Sequence, residues 1–175
     1  MANIEEAKRL YNKGLDGYRA GEYEEALDAL ARARDLYAEA GDRSNESAVL
    51  NDMGVVCVQM EDEENAHRFL EEALTIRMAL QDRAGQGITL GNLGMMYARQ
   101  DEIEKATEAY QQAIAIFHEL DDNGSEKAVA RQLDKLSGAP PLAHRLFRLL
   151  GRLTGGQAEE SPIEEETDEG EGASQ

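Results

Sequence analysis

Tryptophan is absent, phenylalanine occurs 3 times, and Cys57 is the single cysteine in a chain of 175 residues. One cysteine excludes an intrachain disulfide and any zinc site built on cysteine pairs, and makes a reducing, cytoplasmic location the expectation. Bases are also scarce: 18 Lys and Arg face 36 Asp and Glu, a formal charge of −18. That balance opposes a nucleic-acid partner, whose phosphates call for a basic face. No apolar run approaches the ~18 residues of a membrane span. The start, Met1-Ala2-Asn3-Ile4-Glu5-Glu6, lacks the basic and apolar regions of a secretory leader. Leu, Ile, Val and Phe together number only 34, which with this charge borders on disordered composition. The 25 alanines point the other way, to helices that meet through small contact residues. Only the order of the residues decides between the two.

Groupings that would carry chemistry are missing as well. His67, His118 and His144 stand apart, with no His-x-x-x-His pair among them. Glu119 to Gly124 resembles the start of a calcium loop, but the twelfth place holds Ala130 instead of the bidentate Glu such a loop needs. Gly85-Gln86-Gly87 has no lysine to form a phosphate loop. Cys57 lies in a helical apolar pattern and reads as a buried side chain, not a nucleophile. No catalytic residue, metal ligand or cofactor is expected, and the chain reads as a non-enzyme.

What is present is a repeat. Leu10-Tyr11-Asn12-Lys13-Gly14, Leu50-Asn51-Asp52-Met53-Gly54 and Leu90-Gly91-Asn92-Leu93-Gly94 align at an interval of 40 residues. Behind each glycine follow Ala26, Ala66 and Ala106, then Leu30, Leu70 and Tyr110, then Ala33, Ala73 and Ala113. Each unit reads as two helices; Leu90, Leu93, Gly94 and Tyr97 show the helical spacing of the first. Small residues such as Gly14, Ala26 and Ala33 let the paired helices approach closely. Asn3 with Glu6 resembles a capping box, and Gly41-Asp42 ends one unit and caps the next.

The Leu…Gly…Ala…Leu/Tyr…Ala framework and the turn Gly21-Glu22-Tyr23-Glu24-Glu25-Ala26 resemble the tetratricopeptide repeat family. The 40-residue period resembles its longer-repeat subclass, found in kinesin light chains and Leu-Gly-Asn-rich polarity adaptors. The resemblance implies an all-α, right-handed superhelical solenoid of three helix-turn-helix units. Val129, Leu133 and Leu136 give the segment from Ser125 to Ser137 a narrow apolar stripe, expected of a helix capping the last unit. The expected organisation is an array over 3–137, a Pro-linked basic amphipathic helix within 138–156, and a disordered acidic tail over 157–175.

The same resemblance implies a concave groove lined by the first helix of each unit, and a peptide or protein segment as its ligand. By equivalence the lining is Lys8, Tyr11, Asn12, Leu15 and Arg19, then Asn51, Asp52, Val55 and Gln59. Ile88, Asn92, Met95 and Arg99 continue it, and Arg131, Gln132 and Lys135 complete it. The column Asn12, Asp52, Asn92, Gln132 either pairs with the backbone of an extended peptide or braces neighbouring helices; amides serve both ends. Lys8, Arg19, Arg99, Arg131 and Lys135 against Asp52 predict a lining four charges positive, suited to a partner with acidic and apolar residues. The excess acid is then expected on the second helices, as in Glu22 to Asp28 and Glu61 to Glu64. A clamp for chaperone tails is not expected, because its equivalent positions, Tyr11, Leu15, Asp52, Ile88 and Asn92, include no base. Gly91 removes a groove side chain, leaving either a pocket or a loosely specified helix start.

Beyond Gly138-Ala139-Pro140-Pro141, Leu142, Leu146, Leu149, Leu150 and Leu153 share one helical face, and Arg145, Arg148 and Arg152 lie opposite. This arm suggests an alternative: a self-assembling or regulatory module whose helix docks on another subunit, a partner or a membrane surface. Residues 157–175 carry 8 acids and no base, and that neighbouring charge disfavours the membrane.

Overall fold

The computed structural model describes residues 4–137. The arm at 142–153, the tail at 157–175 and Asn3 of the expected capping box lie outside the described residues. Among the described residues the only regular elements are seven α-helices. They are α1 (Ile4–Ala20), α2 (Tyr23–Glu39), α3 (Arg43–Gln59), α4 (Glu63–Ala79), α5 (Arg83–Arg99), α6 (Ile103–Glu119) and α7 (Asn123–Ser137). The first six are each 17 residues long, so the backbone repeats every 20 residues, at half the period of the sequence.

The turns explain that regularity. Gly21, Gly41, Glu61, Gln81, Asp101 and Asp121 all adopt positive φ, between 55° and 79°. In each turn the following N–H donates back across the helix end, as Asp42 N does to the Tyr37 carbonyl at 2.9 Å and Asp82 N to that of Arg77 at 2.9 Å. This is the Schellman closure, which satisfies carbonyls that a helix end otherwise leaves bare. The next residue is always acidic and starts the next helix. Asp42, Asp62 and Asp82 accept from backbone N–H groups at 3.2, 3.2 and 2.9 Å, whereas Glu22 and Glu102 make no side-chain cap. The last helix opens in the same way behind Asp122, with its first residue, Asn123, two residues ahead of the expected Ser125, because the Asp122 carboxylate already accepts from Gly124 N and Ser125 N.

Each helix packs on its neighbours in sequence, and α3 also meets α5, and α5 meets α7. The result is an all-α solenoid of stacked helix pairs. Within a pair the contact is tight: a Cβ on Gly14 would stand 2.6 Å from Leu30 Cγ, and one on Gly54 2.6 Å from Leu70 Cγ. Leu30, Leu50 and Leu70 are wholly buried, each contributing about 1.5–3 kcal/mol through burial. Cys57 is wholly buried among them. Among the described residues no helix is long and apolar enough to cross a membrane.

Candidate binding groove

The odd-numbered helices α1, α3, α5 and α7 carry every predicted lining residue of the array. Lys8, Asn12, Arg19, Ile88, Arg99, Arg131, Gln132 and Lys135 are exposed, and Tyr11, Leu15, Asp52, Val55, Gln59, Asn92 and Met95 are half-buried. Asn51 is different. It is only 4% exposed, so its place in the lining is corrected to the seam between α3 and α5. One residue advances a helix by about 100°, enough to turn Asn51 into the seam while Asp52 keeps partial exposure.

The seams are joined by rungs between residues 41 apart. Across the first, the Tyr11 hydroxyl donates to Asp52 Oδ2 at 2.6 Å; across the second, Asn92 Nδ2 donates to Asn51 Oδ1 at 3.0 Å. Asn51 Nδ2 donates onward to Asp52 Oδ1 at 3.1 Å, which ties both rungs together. Burial and the Asp52 carboxylate hold the Tyr11 hydroxyl well above its ordinary pKa. Of the amide column, Asp52 and Asn92 therefore brace helices, while Asn12 and Gln132 project to the surface.

A second correction concerns charge. Lys8 Nζ pairs with Glu5 at 3.0 Å and Arg19 Nη1 with Asp16 at 2.8 Å, each three residues earlier on α1. Arg99 Nη1 donates to the Val58 carbonyl at 2.7 Å and Nη2 to Gln59 Oε1 at 3.3 Å, so it serves as a clamp on the end of α3. The count that made the lining four charges positive omitted Glu5 and Asp16, which pair with Lys8 and Arg19. Exposed base on the groove side is concentrated at α7, in Arg131 and Lys135.

Sequence reasoning missed the polar group beneath the groove. Arg77 of α4, 6% exposed, donates through Nη1 to the Gly85 carbonyl at 2.8 Å and to Thr89 Oγ1 at 2.6 Å. Thr89 donates in turn to Asn51 Oδ1 at 3.2 Å, and Gln86 Nε2 donates to the Arg77 carbonyl at 3.2 Å. Arg77 Nε finds no partner among the described residues. Desolvation lowers the Arg77 pKa, opposed by the fields of Asp82 and Asp52. A signal was available: Arg77 stands in register with Tyr37 and Phe117, and Thr89 with Val49 and Val129. Two polar departures in adjoining apolar columns mark a pair.

The groove also holds a recess of about 330 Å³ between α5 and α7, lined by Ile88, Gly91, Asn92, Met95, Val129 and Gln132 among others. A second recess of about 410 Å³, at the α3–α4 turn, is bordered by Glu61, Glu63 and Arg99. Among the described residues no group of three or more His, Cys, Asp or Glu side chains could hold a metal ion. His118 faces Glu126 at 3.3 Å, and His67 lies 4.0 Å from Glu71.

Stacked helix pairs closed by identical turns, with one face of the first helices shared along the array, define a helical-hairpin solenoid. Family models for the tetratricopeptide repeat match residues 9–79 and 88–120, and the chain belongs to that family. Such repeats generally mediate protein–protein interaction, and the family is generally non-catalytic. Among solved structures, BtubC (BKLC) from P. vanneervenii is similar in fold. It has a TM-score of 0.70 at 19% identity, over 91% of this chain and 68% of that one. A Podosopora anserina protein described as a kinesin light chain with nearly identical TPR-like repeats is also similar. Its TM-score is 0.68 at 15% identity, over 89% of this chain and 76% of that one. No curated protein matches the chain in sequence.

Proposed function

We propose that the chain is a non-catalytic adaptor that binds a peptide or protein segment along the concave side of its array. The observation that supports this most is the state of the expected lining among the described residues. Asn12 and Gln132 make no hydrogen bond among the described residues, and Ile88, which lines one recess with Gln132, remains 48% exposed. Free amides pair with the backbone of an extended segment regardless of its side chains, and an exposed isoleucine offers apolar contact. The single, buried Cys57 suits a reducing compartment.

Affinity capture from the source cells tests the reading. Three baits are compared by quantitative mass spectrometry: wild type, Asn12→Ala with Gln132→Ala, and a control on the second helices, Glu24→Ala with Glu64→Ala. A partner lost with the groove variant and kept by the control supports the groove. A partner retained equally by all three places the interface elsewhere.

A further inference from the structure

Leu90 and Tyr97 of α5 follow Ile88 and Met95 by two residues each, about 200° around the helix, and so face away from the expected lining. On that outer side α4 and α6 stand over α5 and leave a recess of about 320 Å³ between them. Leu74, Leu90 and Leu93 give it an apolar floor, Ala109 of α6 forms one wall, and Glu71 and Glu108 stand at its rim.

One unit earlier the chain itself fills the equivalent place. Position 69 is in register with Ala109, and position 68 with Glu108. Phe69 packs into the core at 8% exposure, and the Arg68 guanidinium lies 4.6 Å over its ring. A ring capped by a cation gains both from burial and from the attraction of the charge to the ring face. Between α4 and α6 both parts are missing. Ala109 brings no ring, and Glu108 sets a carboxylate where the cation would be. The basic side chain nearby does not cancel the acids, because Lys105 Nζ is held by Glu102 at 2.6 Å. Gln112, a neutral donor, meets Glu108 at 3.3 Å, and His67 stands 4.0 Å from Glu71.

From the missing ring, the reversed charge and the apolar floor we infer that the recess at Ala109 is a second binding site, on the outer side of the array. It takes an aromatic side chain of a partner protein segment, with a neighbouring lysine or arginine of that segment set against Glu108 and Glu71. The occupant supplies from outside what Phe69 and Arg68 supply from within. The site stands on the second helices and does not depend on the groove reading above.

The probe is a short fluorescein-labelled peptide with one phenylalanine between arginines, titrated with the full chain and followed by anisotropy. Companion peptides carry alanine at the centre, or glutamates in place of the arginines. The alanine peptide is expected to bind roughly ten-fold more weakly, the scale set by burying one large apolar side chain. The glutamate peptide is expected to bind more weakly still, because like charges then meet at the rim. Ala109→Phe copies Phe69 and closes the recess from within. It is expected to weaken the arginine peptide roughly ten-fold, with an unchanged or higher Tm. Glu71→Gln with Glu108→Gln leaves the packing alone and is expected to weaken the peptide several-fold and to flatten its dependence on salt. Asn12→Ala with Gln132→Ala is expected to leave this binding unchanged, which separates the site from the groove.

Equal affinity for the phenylalanine and alanine peptides overturns the site, as does equal affinity of wild type and Ala109→Phe. Binding lost with the groove variant and kept by Ala109→Phe puts the peptide in the groove, which overturns the outer site and leaves the groove reading standing. Tight binding that appears only after deletion of residues 138–175 makes the chain's own arm the occupant and overturns a foreign segment. Self-association of labelled chain that Ala109→Phe abolishes makes a second copy the occupant, with the same consequence.

Discussion

Arg77 donates its buried guanidinium to the Thr89 hydroxyl at 2.6 Å, in a seam whose counterparts are apolar in both columns. The hydroxyl passes the interaction on to Asn51 at 3.2 Å, and through Asn51 to Asp52 and Asn92. Buried charge of this kind is costly unless its bonds are complete, and Arg77 Nε already lacks a partner. The middle seam therefore depends on every remaining bond.

Thr89→Val keeps the shape and removes the hydroxyl, which strips an acceptor from Arg77 and a donor from Asn51. The expected loss is about 1–3 kcal/mol of unfolding free energy, from leaving buried polar groups unsatisfied. Arg77→Phe with Thr89→Val copies the pair found at Phe117 and Val129 and should recover at least half of that loss. Urea unfolding of the two single variants and the double variant measures the coupling, expected between about 0.5 and 3 kcal/mol. Additive effects would mean that the two side chains do not act as a pair.

Glycines in equivalent helices should respond oppositely to the same methyl group. At Gly54 a Cβ would lie 2.6 Å from Leu70 Cγ and 3.3 Å from the Ala66 carbonyl oxygen, so the helix pair must separate or Leu70 must leave its rotamer. Gly54→Ala should therefore cost about 1–3 kcal/mol, more than the ~1 kcal/mol that alanine gains in helix propensity. Gly91→Ala meets only an ordinary contact and should keep most of that gain. Thermal melts read both signs directly.

Much of this arrangement was legible in the primary structure. The 40-residue columns gave the helix pairs, the tight contacts at Gly14 and Gly54, and the caps at Gly41-Asp42. They also placed the lining residues on one set of helices, because equivalent residues in a stack share a face. Besides the buried Arg77–Thr89 pair, two features escaped. Asn51 lies next to Asp52 in sequence, and only the direction of the neighbouring α5 shows that it turns into the seam. Lys8 and Arg19 were counted as groove charge, although Glu5 and Asp16 sit one turn away and neutralise them. Equivalence by column fixes which face a residue is on, not which partner its side chain meets.

The shared turn geometry makes its own demand. Gly41 and Gln81 occupy the same place, with φ of 70° and 57°, but only glycine adopts that region without a steric cost. Gly41→Ala should lose about 1 kcal/mol. Gln81→Gly should gain somewhat less than that, because glycine also raises the entropy of the unfolded chain. Nothing lies within 4 Å of a Cβ built on Gly41, so backbone conformation alone carries the effect. Equal stability of wild type and Gly41→Ala in urea would remove the conformational argument.

Cys57 gives the fold an alkaline limit. The thiol is wholly buried, and burial, reinforced by the field of Asp62, pushes its pKa up from 9.0 to about 11. The folded chain thus keeps a proton that the unfolded chain releases at lower pH. The stabilisation is complete below the unfolded pKa of 9.0 and is lost as pH rises through the folded value of about 11. A separation of this size corresponds to about 2–3 kcal/mol at most. Tyr37, Tyr97 and Tyr110 are shifted upward by burial as well, so wild type alone cannot isolate the thiol. Cys57→Ala does, because its packing defect is the same at every pH. Between about pH 8 and pH 11 wild type should lose about 2 kcal/mol more than Cys57→Ala, measured by urea unfolding under reducing conditions. Parallel stability curves for the two proteins would show that the thiol ionises as freely in the fold as outside it.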